Sequence, residues 1–319
     1  MGRLFCLGRF TLLLLVALES AVDALDASSR RLGADVSDMQ DCASVACPLL
    51  FKEAAPAINL GAATYSSTQK RGGSRKLRAP PATMLELTRK LYGPEAQIGE
   101  PYLRYSNPYN KVRDESYKWT QVNEHVLESA FEVVGHPVRF IVEVGSFTGG
   151  SATQIGTFVR NRNLQTPVLA MDTWEGDVTM ALGKYKNFMD KRHGQPQLYH
   201  QFLVNMIARN LSTTVLPFMV PSLVGAKILD YLQLQADIIF LDSAHEEGET
   251  FFEISQFWSS LAPGGILMGD DFNWRAVAHD SQLFARVYNI ELMSVDNCHK
   301  TLLIERKFKT CVWFLKKPG

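Results

Sequence analysis

Two short stretches place charge where apolar runs end. LDSAHEEGE, residues 241–249, follows ADIIF, and MGDDFNW, residues 268–274, closes a second such run. Asp242, Asp270 and Asp271 therefore stand at the ends of two candidate strands. Carboxylates brought that close repel and raise one another's pKa unless a cation sits between them. A hard divalent ion with oxygen ligands, such as Mg²⁺, is the simplest such partner. His245 lies three residues beyond Asp242, and an imidazole there could take a proton near neutral pH. Each acid could equally be a solvated loop residue or a helix cap, and His245 could cap the helix that follows.

Three other strand ends carry residues suited to a nucleoside-bearing ligand. EVGSFTGGS, residues 143–151, offers a tight glycine turn, and glycine lets backbone approach a ligand or its own chain closely. The spacing is G-x-x-x-G-G, whereas a dinucleotide-binding loop wants G-x-G-x-x-G, so a nicotinamide cofactor loses its main support. MDTWEGD, residues 171–177, sets Asp172 where an acid can accept bonds from both ribose hydroxyls, with Trp174 able to pack on a flat ring. Ser222 in VPSLVG could reach an adenine edge or simply cap the next helix.

These ends need strands to carry them. VRFIVEVG, PVLAMD, TVLPFMV, ADIIFLD and GGILMGDDF are short apolar runs separated by stretches with helical spacing, while IELMSVD and KTCVWFLKK read as a closing hairpin. Such alternation makes an α/β fold with a doubly wound, mostly parallel sheet, because each parallel crossover needs a helix over the sheet face. ATMLELTRKLY and TQVNEHVLESAFEVVG add an N-terminal helical extension. Helices between 83 and 135, and the segment VTMALGKYKNFMDKRHGQPQLYHQF, are expected to cover the mouth of the site and choose the substrate.

The chain has 319 residues, 46% hydrophobic, with 33 basic and 33 acidic side chains. That balance, without a basic stripe, sets nucleic acid aside as a partner. Residues 1–24 place Arg3 and Arg9 before a nine-residue core, Phe10–Leu18, and a small-residue cleavage site near Ala24. A secretory signal is expected, since so short a core cannot span a bilayer about 30 Å thick. No stable membrane span remains once it is removed. Residues 25–80 read as a flexible leader, and 81–319 as the folded domain. Cys42, Cys47, Cys298 and Cys311 then remain, an even number suited to an oxidising compartment, with Cys42–Cys47 and Cys298–Cys311 as possible pairs. Asn210 in NLS is a glycosylation acceptor if the site is exposed on the secretory route.

EVGSFTGGS, MDTWEGD, FLDSAHEEGE and LAPGGILMGDDF, in this order, resemble the class I S-adenosylmethionine-dependent methyltransferases, in particular the group of macrocin-type and other small O-methyltransferases. The resemblance covers about residues 115 to 300. It implies a seven-stranded Rossmann-like sheet. It also implies that Glu143, Gly145, Ser146, Phe147, Thr148, Gly149 and Ser151 hold the methionine part of the cofactor. Asp172, with Thr173 and Trp174 beside it, would hold the ribose, and Asp242, Asp270 and Asp271 a divalent cation. Catechol-type relatives carry a lysine base where this chain has His245, and antibiotic-sugar relatives an aspartate where it has Ala244. The reaction implied is O-methylation of a small hydroxylated acceptor, a sugar or phenolic metabolite. A non-catalytic binder of S-adenosylmethionine and a nicotinamide oxidoreductase are the competing readings.

Overall fold

The computed structural model describes residues 78–103, 105, 120, 122–177, 191–243, 245–301 and 311–319. The signal segment, nearly all of the leader with Cys42 and Cys47, residues 178–190 of the expected covering segment, and Ala244 lie outside them.

Two helices open the described chain. α1, Met84–Tyr92, starts at Thr83, whose side chain accepts the Glu86 amide, and stops at Gly93. α2, Glu124–Val134, starts at Asn123, which accepts the Val126 amide, and ends on left-handed Gly135. Both starts satisfy amides that a first helical turn leaves unpaired.

The sheet follows: β1 Ile141–Val144, β2 Val168–Asp172, β5 Val215–Met219, β6 Ala236–Leu241, β7 Leu261–Gly269, β8 Leu292–Ser294 and β9 Trp313–Lys316, in the spatial order β5-β2-β1-β6-β7-β9-β8. The first five strands are parallel, and β9 runs antiparallel between β7 and β8. β7 begins at Leu261, upstream of the GGILMGDDF run, and pairs with β6 across a bulge. A separate two-stranded ribbon, β3 Lys191–Arg192 with β4 Gln195–Pro196, lies between β2 and β5 in sequence.

Helices alternate with the strands: α3 Gly150–Asn161, α4 Leu198–Ala208, α5 Ser222–Tyr231, α6 Glu249–Phe257, α7 Arg275–Tyr288 and the short α8 Cys298–Thr301. Alternate strand residues feed two cores. Ile141, Ala170, Ile238 and Met268 meet α2, α3 and α4 on one face. Val142, Leu169, Ile239 and Leu267 meet α1, α5, α6 and α7 on the other. Strands buried on both faces account for the continuous apolar runs, and the layers form the expected doubly wound sheet.

The described N-terminal helices pack on the sheet. Leu87 of α1 and Val126, Leu127, Ala130 and Val134 of α2 are spent in the cores. The Tyr92 and Tyr102 hydroxyls donate to the Pro217 and Val215 carbonyls of β5. β5 is an edge strand and the place where a strand proline is tolerated, so this extension closes a sheet edge. A disulfide joins Cys298 to Cys311, with Cα atoms 5.8 Å apart, tying the chain after β8 to the start of β9. Among the described residues no helix is long and apolar enough to cross a membrane.

Candidate active site at the carboxyl ends of the sheet

From β1 the chain passes to β2 and then β5 on one side, while β6 and β7 lie on the other. A crevice opens where the order reverses, outside the carboxyl ends of β1 and β6, which is where open α/β sheets bind ligands. It holds a cavity of about 490 Å³, lined among others by Gly145, Phe147, Asp172, Ser222, Asp242 and His245. That volume suits a ligand of cofactor size.

The loop after β1 is stapled to the loop after β2. Asp172 accepts the Phe147 amide at 2.7 Å through one oxygen and the Trp174 amide at 2.6 Å through the other. The Trp174 indole donates back to the Phe147 carbonyl at 2.7 Å. Phe147 and Trp174 both have left-handed φ, of 45° and 54°, conformations that non-glycine residues keep only where surrounding bonds impose them. Burial holds the Asp172 carboxyl above its ordinary range, although four backbone amides act against the shift.

Beneath this staple Glu143 is fully buried in β1. Its pKa is pushed up to about 7 by burial, opposed by the Ser146 and Ser151 hydroxyls and assisted by the Asp172 charge. One Glu143 oxygen accepts the Ser146 hydroxyl, and the other has no hydrogen-bond partner. Gly145, φ 90°, is required by its own chain: a Cβ there would lie 2.2 Å from the Asp242 carbonyl oxygen. Gly149 caps α3, and a Cβ on it would strike Met206 of α4 at 2.6 Å.

Of the residues expected to hold a cofactor, Gly145, Phe147, Asp172, Thr173 and Ser222 line the cavity. Glu143, Ser146, Thr148, Gly149 and Ser151 pack behind that lining. Trp174 is the clear departure: its indole does not face the cavity but is 2% exposed, tilted against Tyr199 and Phe202 at 4.8 and 5.0 Å. Its own indole bond to Phe147 turns it inward, leaving no ring face for a ligand.

Further charge gathers after β6 and β7. His245 Nε2 lies 3.0 Å from Asp271 Oδ2 and 3.9 Å from Asp242 Oδ1. Among the described residues, one donor atom each from Asp242, His245 and Asp271 falls within 4.8 Å of the others. Asp270, the third carboxylate expected there, falls outside this group, yet its charge acts on Asp242 and it lines a small cavity with Asp242 and His245. Asp270 is 4% exposed, with one carboxylate oxygen accepting the Asp271 amide at 2.8 Å and its carbonyl accepting the Trp313 indole at 3.1 Å. Asp271, φ 56°, follows at the turn that leads to Trp274, whose ring lies 5.0 Å from that of His245.

Two carboxylates and an imidazole are a donor set that fits a divalent cation. Desolvation, then repulsion from Asp270, Asp271, Glu143 and Asp172, holds Asp242 well above the usual carboxylate range. Burial lowers the His245 pKa, but the hydrogen bond and charge of Asp271, with Asp177 and Glu253 beyond, outweigh it and raise the net value.

Glu253 was not anticipated. It is buried in α6, lines the cavity, and accepts the Ser243 hydroxyl at 2.7 Å and the Ser222 hydroxyl. Its signal in the sequence is an acid on the buried stripe of α6, between Thr250 and Phe257.

Residues 142–272, fewer than half of the chain, match the family model described as a methyltransferase domain. The matched segment contains every lining and charged residue described above. No curated protein matches the chain significantly. Among solved structures, the chain is similar to an O-methyltransferase from Bacillus cereus in complex with SAH, at 13% identity and TM-score 0.43, over 74% of this chain and 98% of that one. It is also similar to an O-methyltransferase family protein from Burkholderia thailandensis, at 13% identity and TM-score 0.39, over 61% of this chain and 55% of that one. An rRNA methylase from Streptococcus thermophilus is similar at 10% identity and TM-score 0.38, over 63% of this chain and 100% of that one.

Proposed function

We propose that this chain is a methyltransferase, moving the methyl group of S-adenosylmethionine to an oxygen of a small hydroxylated acceptor, a sugar or phenolic metabolite. The observation that carries the reading is one cavity that brings together two unlike groups. Asp172, Gly145 and Phe147 line it, as do Asp242 and His245, with Asp271 3.0 Å from His245.

The division of labour follows from the chemistry of each group. The Asp172 carboxylate, fixed by backbone amides that include those of Phe147 and Trp174, lines the cavity and is the acid placed to meet the hydroxyls of a ribose. S-adenosylmethionine supplies a methyl group activated by its positive sulfur. The chain's part is alignment of the acceptor oxygen with that methyl group and removal of the oxygen's proton. His245 is the group placed to receive it, with Asp271 fixing the ring and favouring the imidazolium, and with Asp242 on its other side. A divalent cation, if one binds, would be held by the carboxylates of Asp242 and Asp271 and would favour an ionised acceptor oxygen, leaving His245 Nε2 to take the proton.

The same reading places the chain in the secretory pathway, a location supported by the Cys298–Cys311 disulfide. Fusing residues 1–80 to a reporter tests this; retention of the reporter in the cytosol would reject it.

Calorimetry with S-adenosylmethionine and with NAD is the direct test of the cofactor. S-adenosylmethionine should bind and NAD should not, and Asp172→Asn should weaken binding by about 10- to 100-fold, the value of a hydrogen bond to a charged group. Preferential NAD binding would overturn the assignment. A panel of hydroxylated acceptors, read by released S-adenosylhomocysteine, then tests the reaction; binding without turnover on any of them would make the protein a non-catalytic binder.

A further inference from the structure

We propose that Asn210 carries an N-linked oligosaccharide, attached through its side-chain amide at the end of the sheet opposite the cavity. The inference goes beyond the methyltransferase reading and rests on the secretory location alone.

Asn210, Leu211 and Ser212 form the only Asn-x-Ser/Thr triplet in the 319 residues, with leucine at its centre and Thr213, not a proline, after it. The end of α4 sets its conformation. The Leu211 amide donates to the Met206 carbonyl at 2.9 Å and the Asn210 amide to the Ile207 carbonyl at 3.0 Å, the paired bonds that close a helix through one left-handed residue. Asn210 is that residue, at φ 57°, a conformation that asparagine tolerates better than most side chains. Leu211 is 0% exposed and anchors the turn in the same core as Met206.

This cap uses the backbone and spares the side chain. The Asn210 carbonyl accepts the Arg160 guanidinium at 3.5 Å, so both backbone polar groups have partners. Among the described residues the Asn210 side-chain amide makes no hydrogen bond, and the residue is exposed. Capping alone asks only for positive φ, which glycine meets at less steric cost. A solvent-facing carboxamide with a serine two residues on is surplus to that need.

The turn also lies away from the chemistry. α4 leads into the amino end of β5, whereas the cavity is lined by Val220 and Pro221, just past the other end of that strand. β5 has five residues and is about 16 Å long. An oligosaccharide on Asn210 therefore leaves the mouth of the cavity open.

Transfer takes place on the entering chain, because folding buries Leu211 and half-buries Ser212. The co-reactant is a lipid-pyrophosphate-linked oligosaccharide of the secretory lumen. Asn210 Nδ2 attacks C1 of its terminal N-acetylglucosamine; the C1–N bond forms, the C1–O bond to pyrophosphate breaks, the nitrogen gives up a proton and the lipid pyrophosphate leaves. Ser212 supplies the hydroxyl that completes the acceptor triplet.

The full-length chain is expressed in eukaryotic cells and followed by gel mobility and peptide mass spectrometry, before and after digestion with peptide-N-glycosidase. One glycan should be found, on the peptide that contains Asn210, and digestion should abolish the mobility difference. Asn210→Gly, which keeps the left-handed turn, and Ser212→Ala, which keeps the asparagine, should each lose the glycan completely, while Ser212→Thr should retain it. A chain that reaches the lumen, as the reporter fused to residues 1–80 reads, with Asn210 unmodified would overturn the proposal and leave the location standing. A mobility shift that persists in Ser212→Ala would place the modification elsewhere and overturn it as well. A chain that stays in the cytosol would overturn this inference and the location together, while S-adenosylmethionine binding still decides the methyltransferase reading by itself.

Discussion

Replacing Gly145 by alanine should damage both the fold and the cavity, by an amount that the backbone sets. A Cβ at this position would lie 2.2 Å from the Asp242 carbonyl oxygen, 2.5 Å from its carbon and 2.8 Å from the Ser243 nitrogen. All three are backbone atoms, so no rotamer change relieves the clash. The end of β6 would have to retreat by most of an ångström, against the Asp242 amide bond to the Val144 carbonyl at 2.8 Å. Overpacking of this kind costs about 1–3 kcal/mol, and alanine at φ 90° adds about 1–2 kcal/mol. The total, roughly 2–5 kcal/mol, is a large share of the 5–15 kcal/mol that a folded domain typically has. Urea unfolding followed by tryptophan fluorescence should show the midpoint falling by about 1–2 M. In whatever fraction stays folded, the displaced Asp242 should weaken turnover about 100-fold, as an ångström of misplacement does elsewhere. Gly93 is the control, because it also has positive φ, 111°, but nothing lies within 4 Å of its Cβ position. Equal losses in Gly145→Ala and Gly93→Ala would refute the clash argument and leave only the backbone preference.

Two further perturbations probe the same elements. Glu143 has a native pKa of about 7 against an ordinary value near 4.5, so its contribution is complete below pH 4.5 and is lost as pH rises through 7. Glu143→Gln, neutral throughout, should flatten the stability profile between pH 5 and 8 by up to about 3 kcal/mol; parallel wild-type and variant profiles would reject the buried-carboxyl account. Breaking Cys298–Cys311, which spans 13 residues, by a double serine variant should cost about 3 kcal/mol of loop-closure stabilisation. Reductant should then lower the urea midpoint of wild type and leave the variant unmoved, and an equal response in both would contradict it.

The strands were legible because a parallel sheet buried on both faces demands continuous β-branched and aliphatic runs, and each run stops at glycine or aspartate. Asp172, Asp242 and His245 stood out because charge next to such a run has few structural uses. Asp270 and Asp271 are harder to separate from sequence alone. Asp271 takes φ 56° and meets His245 at 3.0 Å, while the Asp270 carboxylate accepts the Asp271 amide and the Asp270 carbonyl accepts the Trp313 indole. Trp313 comes from β9, more than forty residues away, and no local pattern announces it. Trp174 was misleading for a similar reason. An aromatic beside a ribose-binding acid reads as a stacking platform, yet the Phe147 carbonyl and the α4 aromatics draw it into the core. The N-terminal helices were legible as helices, while their partner, the outer edge of β5, depends on the sheet order and is invisible in local spacing.

The two ends of β6 separate charge that holds the fold from charge that is kept for a ligand. Near the amino end, Asp237 is wholly buried, and its carboxylate accepts the Arg139 amide at 2.6 Å and the Arg139 guanidinium at 2.7 Å. A permanently cationic, geometrically fixed partner answers it, which is how a buried acid is made compatible with a stable protein. At the carboxyl end, five residues on, Asp242 meets four other carboxyl groups, and among the described residues the ion pair reaching it comes from His245, at 3.9 Å. Histidine is a partner whose charge can be withdrawn, and Asp271 holds it more closely, at 3.0 Å. A sequence under pressure only for stability would close the second end as it closed the first, with an arginine. Left open, that end keeps a repulsion among its carboxyl groups that positive charge would relieve, and under the proposed function that charge is a sulfonium or a cation.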